Sequence, residues 1–235
     1  MTGASRGIGA ATAVKLAAMG SDVVVNYRSN EARAEEVSQD IVKLGRRAVP
    51  IKADLTVHPE VESMMSRIED IFGRLDVVVL NASGGLEKGK TEEYATAVNH
   101  TAQLHTARLA ANLMTGGGRI VFVTSHWAHF YGRKPVFSDY EAVARTKHAG
   151  EQALREYASE LHGMGITLVV VSGDVIEGTI TPRLLERKNP GLMAYRHDGS
   201  QKLPTIDDFA EAIAQAATDR SVQNGHTVFV GSIDY

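Results

Sequence analysis

The sequence contains no cysteine, and this absence excludes several kinds of chemistry. A chain without thiols forms no disulfide, offers no thiolate nucleophile and cannot bind zinc or iron–sulfur clusters through sulfur. The absence also suits the reducing cytoplasm, where we expect the protein to reside. Histidines such as His58, His162 and His226 show no paired or helical ligand spacing. We therefore expect no bound metal.

The sequence also lacks an excess of charge of one sign and any long apolar run. It has 25 Lys and Arg residues against 28 Asp and Glu residues, a formal net charge of −3. Proteins that bind nucleic acid usually carry a strong basic excess, so we expect no nucleic-acid partner. The longest apolar runs, such as 77–80 and 168–171, have the length of a strand and are far shorter than a membrane span. We expect no secretory signal and no membrane association.

Short apolar runs alternate with amphipathic stretches along the whole chain. The runs predict strands at Val23–Tyr27, Ala48–Ala53, Val77–Leu80, Ile120–Thr124, Ile166–Val171 and Thr227–Val230. The stretches predict helices at Ile8–Met19, Asn30–Leu44, Pro59–Phe72, Thr91–Met114, Ser138–Leu161 and Thr205–Thr218. This alternation predicts an α/β fold with a parallel sheet between two helix layers. We expect residues 1–235 to form a single domain.

One stretch interrupts this alternation. About thirty residues between Val171 and Pro204 contain no predicted strand, and an insertion of this length often covers a site. Residues 178–203 are therefore predicted to form a substrate lid. Two interpretations of its basic character stay open, a solvated surface excursion or a patch that recruits an anionic substrate. Its charged residues within 181–203 are Arg183, Arg187, Lys188, Arg196 and Lys202 against Glu186 and Asp198.

A glycine-rich segment at Thr2–Gly9 runs directly into the first predicted helix. Glycines let backbone amides approach a pyrophosphate, and the helix N-terminus adds favourable partial positive charge. A simple tight turn is the other interpretation. A dinucleotide-binding fold also needs a buried strand before such a loop, and only Met1 precedes Thr2. We therefore expect that a first strand, missing from this sequence, lies upstream.

The residues after the strand Val23–Tyr27 indicate which dinucleotide is preferred. Sites for NAD usually place Asp or Glu there to bind the ribose 2′-hydroxyl, but Arg28 and Ser29 follow this strand. The guanidinium groups of Arg28 and Arg6 suit a 2′-phosphate, which they can bind through paired hydrogen bonds. The pattern favours NADP(H) over NAD(H), unless both arginines are merely solvated.

Five landmarks, in the correct order, resemble the short-chain dehydrogenase/reductase family. They are the TGxxxGxG loop at Thr2–Gly9, the pair Asp54-Leu55, the segment Leu80–Gly84, the helix residue Asn99 and the strand end at Ser125. The resemblance covers nearly the whole chain and implies a Rossmann-type, doubly wound parallel sheet. It implies cofactor contacts at Gly3, Ser5, Arg6, Gly7, Ile8, Gly9, Arg28, Ser29, Asp54, Leu55, Asn81, Ala82, Ser83, Lys147, Gly173, Val175 and Thr179.

The catalytic Tyr–Lys pair departs from the family pattern YxxxK. Lys147 is recognisable from the segment 146–149, but Val143 stands where the pattern places the tyrosine. Tyr140 lies seven residues before Lys147, a spacing similar to the YxxMxxxK pattern of enoyl reductases. Seven residues advance about 700° around a helix, so the two side chains share nearly one face. Tyr140 is therefore the predicted acid.

The resemblance implies hydride transfer between a nicotinamide and a carbonyl or alcohol. Tyr140 would protonate the carbonyl oxygen, and Ser125 would hydrogen-bond it. Lys147 would bind the nicotinamide ribose and favour the tyrosinate by its charge. Asn99 would hold the water that resupplies the proton. We therefore expect an NADPH-dependent enzyme that reduces a ketone, such as a 3-oxoacyl thioester, to an alcohol.

Other interpretations stay open. The Tyr–Lys spacing is also typical of an enoyl thioester reductase, and loss of the acid would leave a non-catalytic NADP(H)-binding sensor or scaffold. If Tyr140 only packs, Tyr131, His126 and His129 are the candidates to replace it. The resemblance further implies a homotetramer or a dimer, assembled through the helices that contain Asn99 and Tyr140 and through the last strand.

Overall fold

The computed structural model describes residues 1–188, 190–191 and 203–233. Its strands are β1 (Val23–Tyr27), β2 (Ala48–Lys52), β3 (Val77–Leu80), β4 (Gly118–Ser125), β5 (Ile166–Gly173) and β6 (Thr227–Val230). Its helices are α1 (Gly7–Ala18), α2 (Glu31–Lys43), α3 (His58–Phe72), α4 (Glu92–Thr96), α5 (Ala102–Leu113), α6 (His126–His129), α7 (Ser138–Gly163), α8 (Ile180–Lys188) and α9 (Ile206–Thr218). A π-helical turn at Ala97–Thr101 joins α4 to α5.

The predicted strands and helices are confirmed with ends that agree within two residues, except that the π-helical turn divides the helix predicted at Thr91–Met114 into α4 and α5. Local capping explains this agreement. The Asn30 side chain accepts the backbone N–H of Arg33 at the start of α2, and Thr205 and Asp208 form a reciprocal capping box on α9. Gly73 ends α3 in the left-handed conformation, at φ 70°. Short-range sequence signals therefore determine most element boundaries.

Two helices were not predicted. The short helix α6 directly follows β4, and α8 lies within the segment 178–203 that was expected to be a lid. The sequence predicts no strand in that segment, which contains Pro182 and Pro190. Pro182 lies in the first turn of α8, where a missing N–H costs little. Position 189 and positions 192–202 of the expected lid lie outside the described residues.

The strands form parallel sheets with helices on both faces, which confirms the doubly wound α/β prediction. All strand pairs are parallel, and β3, β4, β5 and β6 are neighbours in that order. Alternate side chains of β4 enter different cores. Val121 and Val123 pack with α1, α2 and α9, whereas Ile120 and Phe122 pack with α3, α5 and α7. Burial on both faces explains why these strands read as continuous apolar runs.

The sheet is divided between β1 and β3. The pair β1–β2 stands apart from the other four strands, and a cleft of about 490 Å³ lies between Val23–Val24 of β1 and Val77–Val79 of β3. Residues 1–4 bridge one end of this cleft with strand-like bonds. The backbone N–H of Asn26 donates to the Met1 carbonyl (3.2 Å), and that of Thr2 donates to the Val79 carbonyl (3.0 Å).

The carboxyl ends of β1, β3, β4 and β5 meet at one edge of the sheets, as parallel strands require. The glycine loop and the loops after these strands therefore lie together. Open α/β sheets bind their ligands at this edge. Among the described residues, no helix combines the length and the apolarity that a membrane crossing requires.

Candidate active site

The glycine loop is held by side chains from two strand ends. The Thr2 hydroxyl donates to the Val79 carbonyl and accepts the N–H of Asn81 (2.9 Å), whose own side-chain amide donates to the Thr2 carbonyl (3.0 Å). Gly3 has a φ of 60°, which favours glycine. A Cβ on Gly9 would lie 2.2 Å from the Gly3 carbonyl oxygen, so this loop conformation requires glycine at position 9. This backbone arrangement fits a pyrophosphate at the start of α1.

Asn26, at the end of β1, joins the loop to the neighbouring strands. Its buried side chain accepts the Gly3 N–H (3.2 Å) and donates to the carbonyl of Ala53 (3.2 Å). The sequence motifs did not single out Asn26 for this role. The available signal was an amide at the end of an otherwise apolar strand, where a buried polar side chain needs several partners.

A groove of about 680 Å³ runs along this edge, and it brings together most of the predicted cofactor residues. It contains Gly3, Ser5, Arg6, Gly7, Ile8, Gly9, Arg28, Ser29, Asp54, Leu55, Asn81, Ala82, Ser83 and Thr179. The remaining three, Lys147, Gly173 and Val175, line an adjoining pocket of about 120 Å³. Thr179, Ile8 and Asn81 line both spaces. The volume and the basic side chains fit a dinucleotide with an additional phosphate.

Basic side chains concentrate at one part of the groove. Arg6, Arg28 and Arg33 are exposed and line it together with Arg183 of α8. Asp54, which was predicted to contact the cofactor, accepts the N–H and the hydroxyl of Thr56 through its carboxylate. The loop after β2 is thereby fixed by its own side chain, and the arginines remain the groups that suit a phosphate.

Ser125 and Tyr140 meet in the adjoining pocket. Ser125 is the last residue of β4 and caps α6, and its Oγ lies 3.1 Å from the Tyr140 hydroxyl oxygen. Tyr140 belongs to the first turn of α7, and its ring lies 5.1 Å from that of Trp127. The displaced tyrosine therefore points toward the predicted serine. Trp127, whose role the sequence did not indicate, packs against the rings of Tyr140 and Phe137.

Burial changes the acidity of both groups of the Tyr–Lys pair. Desolvation raises the pKa of Tyr140, and the hydrogen bond from Ser125 opposes this effect. Burial lowers the pKa of Lys147 to about 8, while the charge of Glu151 opposes that shift. Lys147 thus remains largely protonated at neutral pH. Lys147 and Tyr140 line the same pocket, and a cation close to a phenol favours the tyrosinate and its exchange of a proton.

Helix α7 is fixed against the π-helical turn that contains Asn99. The Asn99 side chain donates to the Gly84 carbonyl (2.9 Å) and to Thr146 Oγ1 (3.0 Å), and it accepts the Gly84 N–H (3.2 Å). A Cβ on Gly150 would lie 2.1 Å from the Asn99 carbonyl oxygen, so the two backbones are in contact. Asn99 therefore positions the residue next to Lys147, and its side chain is committed to protein groups.

The alternative acids have other partners. His126 Nδ1 lies 2.8 Å from Ser172 Oγ, and His129 Nδ1 lies 2.8 Å from a Glu151 carboxylate oxygen. The Tyr131 hydroxyl donates to Glu141 at 3.3 Å. Of these three, His126 alone borders the pocket. The described part of the chain contains no group of His, Asp and Glu side chains that could hold a metal ion.

The family model for short chain dehydrogenases matches residues 1–189. Among curated proteins, the hydroxynaphthalene reductase-like protein Arp2 of Metarhizium majus is 39% identical over 180 residues, which is 73% of this chain and 65% of that protein. The match thus spans less than two thirds of that relative's length. This similarity agrees with the order of landmarks along the sequence.

Solved structures share the fold over nearly the whole chain. A short chain dehydrogenase from Burkholderia cenocepacia J2315, in complex with NADP, has a TM-score of 0.85 and 30% identity and covers 100% of this chain and 96% of its own. The angucycline C-6 ketoreductase LanV, with bound NADP, has a TM-score of 0.79 and 28% identity and covers 99% and 93%. Both similar structures contain the phosphorylated dinucleotide.

Proposed function

The chain belongs to the short-chain dehydrogenase/reductase family, and from this premise we propose that it reduces a ketone to an alcohol with NADPH. Its cofactor is NADP(H). The observation that carries the proposal is the hydrogen bond between Ser125 and Tyr140 in a pocket that Lys147 also lines. Carbonyl reduction needs an acid, a donor that orients the oxygen and a cation, and Tyr140, Ser125 and Lys147 provide them in that order.

The proposed roles follow from the positions of the three side chains. When bound, NADPH supplies the hydride. Ser125 donates a hydrogen bond to the carbonyl oxygen and orients it beside Tyr140. The Tyr140 phenol donates its proton to that oxygen as negative charge develops there. Lys147 stabilises the resulting tyrosinate by its charge and binds the ribose hydroxyls of the cofactor.

Asn99 contributes to the proposed proton relay through its backbone. All of the side-chain bonds that the structure describes for it go to Gly84 and Thr146. A water that resupplies the proton would therefore bind its backbone carbonyl rather than its amide. The side chain fixes the helix that carries Lys147.

We further propose that residues 1–235 act as one catalytic domain with a substrate lid at 178–203. Leu185 of α8 is buried with Trp127 and Tyr140, which supports a covering role for the described part of this segment. A homo-oligomer, either tetramer or dimer, and a cytoplasmic location remain parts of the proposal. Sedimentation analysis and cell fractionation test these two points.

The names of the similar proteins suggest which ketones to test first. The compounds in these names, a hydroxynaphthalene and an angucycline, contain fused aromatic rings, and Trp127 in the pocket wall suits such rings. The panel therefore contains a hydroxynaphthalene, a quinone, a diketone, a 3-oxoacyl thioester and an enoyl thioester. NADPH oxidation is followed with the unaltered chain, Ser125→Ala and the control Ser159→Ala.

We expect reduction of at least one ketone and a loss of about a hundredfold in Ser125→Ala, with Ser159→Ala unchanged. Reduction of the enoyl thioester alone would replace the proposal with an enoyl reductase. Tight NADPH binding without any turnover would favour the non-catalytic sensor. Product analysis by mass spectrometry separates carbonyl reduction from double-bond reduction.

A further inference from the structure

Arg28 and Tyr94 come from distant parts of the chain and meet beside the cofactor groove. Arg28 follows β1, whereas Tyr94 lies in α4, 66 residues further along the chain. The Nη1 group of Arg28 donates to the Tyr94 hydroxyl. The guanidinium carbon lies 5.9 Å from the centroid of the Tyr94 ring. Both side chains line the groove, so this contact orders a cationic group at its edge.

The Tyr94 ring is itself held in place. A Cβ on Gly84 would lie 3.1 Å from Tyr94 Cε1 and 3.4 Å from its hydroxyl, so the ring packs directly on the backbone at Gly84. Lys90 Nζ lies 3.9 Å from the ring centroid. The backbone N–H of Tyr94 donates to Thr91 Oγ1 at the start of α4. The hydroxyl is therefore presented to Arg28 from a fixed position.

A fixed hydroxyl lowers the entropy cost of immobilising an exposed arginine side chain. A free arginine side chain loses rotamer entropy when it binds a phosphate. Arg28 is exposed, and one of its N–H groups is already bound before any ligand arrives. The other N–H groups of a guanidinium fork are directed elsewhere and suit phosphate oxygens. Ordering of this kind increases affinity without adding a ligand contact.

We propose that Tyr94 is a positioning residue that orients Arg28 toward the 2′-phosphate of NADP(H) and so contributes to the preference for NADPH over NADH. The inference rests on the NADP(H) cofactor of the proposed function and on the contact between the two side chains. The ligand class is an adenosine with a 2′-phosphate. Binding of a 2′-hydroxyl gains little from an ordered guanidinium, because the hydroxyl carries no negative charge to attract this cation.

Binding of two nucleotide fragments tests the proposal without any turnover. The fragment 2′,5′-ADP carries the 2′-phosphate, and 5′-AMP lacks it. We expect Tyr94→Phe, which removes only the hydroxyl, to weaken 2′,5′-ADP binding about fivefold by calorimetry and to leave 5′-AMP unchanged. Tyr157→Phe is the matched control, since the Tyr157 ring lies 5.5 Å from the guanidinium carbon of Arg108 in another part of the fold.

A double variant isolates the interaction between the two side chains. In an Arg28→Ala background, Tyr94→Phe should have no further effect, because no guanidinium remains for the hydroxyl to hold. The proposal is overturned by unchanged or tighter binding of 2′,5′-ADP to Tyr94→Phe. It is also overturned by equal weakening of both fragments, or by an effect that persists without Arg28.

The experiment separates this inference from the assignment of the cofactor site. If the unaltered chain fails to distinguish 2′,5′-ADP from 5′-AMP, the NADP(H) site itself is contradicted, and the inference fails with it. If the unaltered chain distinguishes them and Arg28→Ala does not, the site stands. Tyr94→Phe then decides the role of Tyr94 alone.

Discussion

The hydroxyl of Tyr140 lies 3.1 Å from Ser125 Oγ, although Tyr140 is seven residues rather than four residues ahead of Lys147. The first turn of α7 presents the phenol to the end of β4, and Val143 occupies the ordinary tyrosine position without a group that ionises. A shift of one helical turn toward the N-terminus is accommodated because the ring packs against Trp127. The proposed acid therefore differs from the family pattern in its position and keeps the same partner.

The charge of Lys147 should control the alkaline limb of the pH–rate profile. Burial lowers its pKa to about 8, so the cation is lost as the pH rises through this value. We expect kcat/KM for NADPH to fall about tenfold per pH unit above that point. Lys147→Arg keeps the charge and should move this limb to higher pH, with a lower maximum because the guanidinium has a different shape. An identical limb in both proteins would contradict this role.

The contact between Gly150 and Asn99 should be intolerant of any side chain. A Cβ at position 150 would lie 2.1 Å from the Asn99 carbonyl oxygen. Gly150→Ala should therefore destabilise the fold by about 2 kcal/mol, although alanine favours helices. Gly163→Ala, in the same helix and with nothing within 4 Å of the added atom, is the control and should be neutral or slightly stabilising. Thermal unfolding of both variants checks the difference.

Arg155 should be important for stability through the buried carboxylate of Glu151. Glu151 is fully buried and accepts from Arg155 Nε (2.9 Å), while Arg155 also donates to the Gly225 carbonyl and to Thr227. Arg155→Met should cost about 3 kcal/mol, because it leaves a buried charge with fewer partners. Arg145→Met removes an ion pair with Glu92 that is about half exposed, and it should cost less than about 1 kcal/mol.

The pH dependence of this effect has a definite sign. Burial alone would raise the pKa of Glu151, but its bonds to His129 and Arg155 lower it overall. A lowered carboxyl pKa contributes stability that is present above the pKa of the unfolded chain and is lost as the pH falls. The difference in unfolding free energy between the unaltered chain and Arg155→Met should therefore shrink in acid. Equal costs for the variants of Arg155 and Arg145 would contradict this account.

The cleft between β1 and β3 should accept an added strand. Five apolar, β-branched residues joined to Met1 would lie beside Val24 and Val78 and pair with both open edges, so we expect a higher Tm. An extension with alternating Gly and Ser residues is the control and should give no such gain.

Local signals allowed much of this molecule to be predicted. Apolar runs and caps predicted the strands and long helices, and ordered landmarks predicted the family, which the match over residues 1–189 confirms. Spacing around a helix predicted that Tyr140 and Lys147 share nearly one face, and both line the same pocket. The partners of Asn26 and Tyr94 could not be predicted, because the fold alone brings them close. The π-helical turn at Asn99 likewise has no counterpart in a pattern read at helical spacing.

The most direct test of the account is the rate of ketone reduction by Tyr140→Phe. With the best ketone of the panel, we expect the variant to lose at least about a hundredfold in kcat. Its NADPH affinity should stay within about twofold, because the phenol is not a cofactor ligand in this account. Tyr131→Phe and His126→Gln, measured alongside, should keep their activity. Undiminished turnover in Tyr140→Phe, or a collapse confined to one of the other two variants, would contradict the assignment of Tyr140 as the acid.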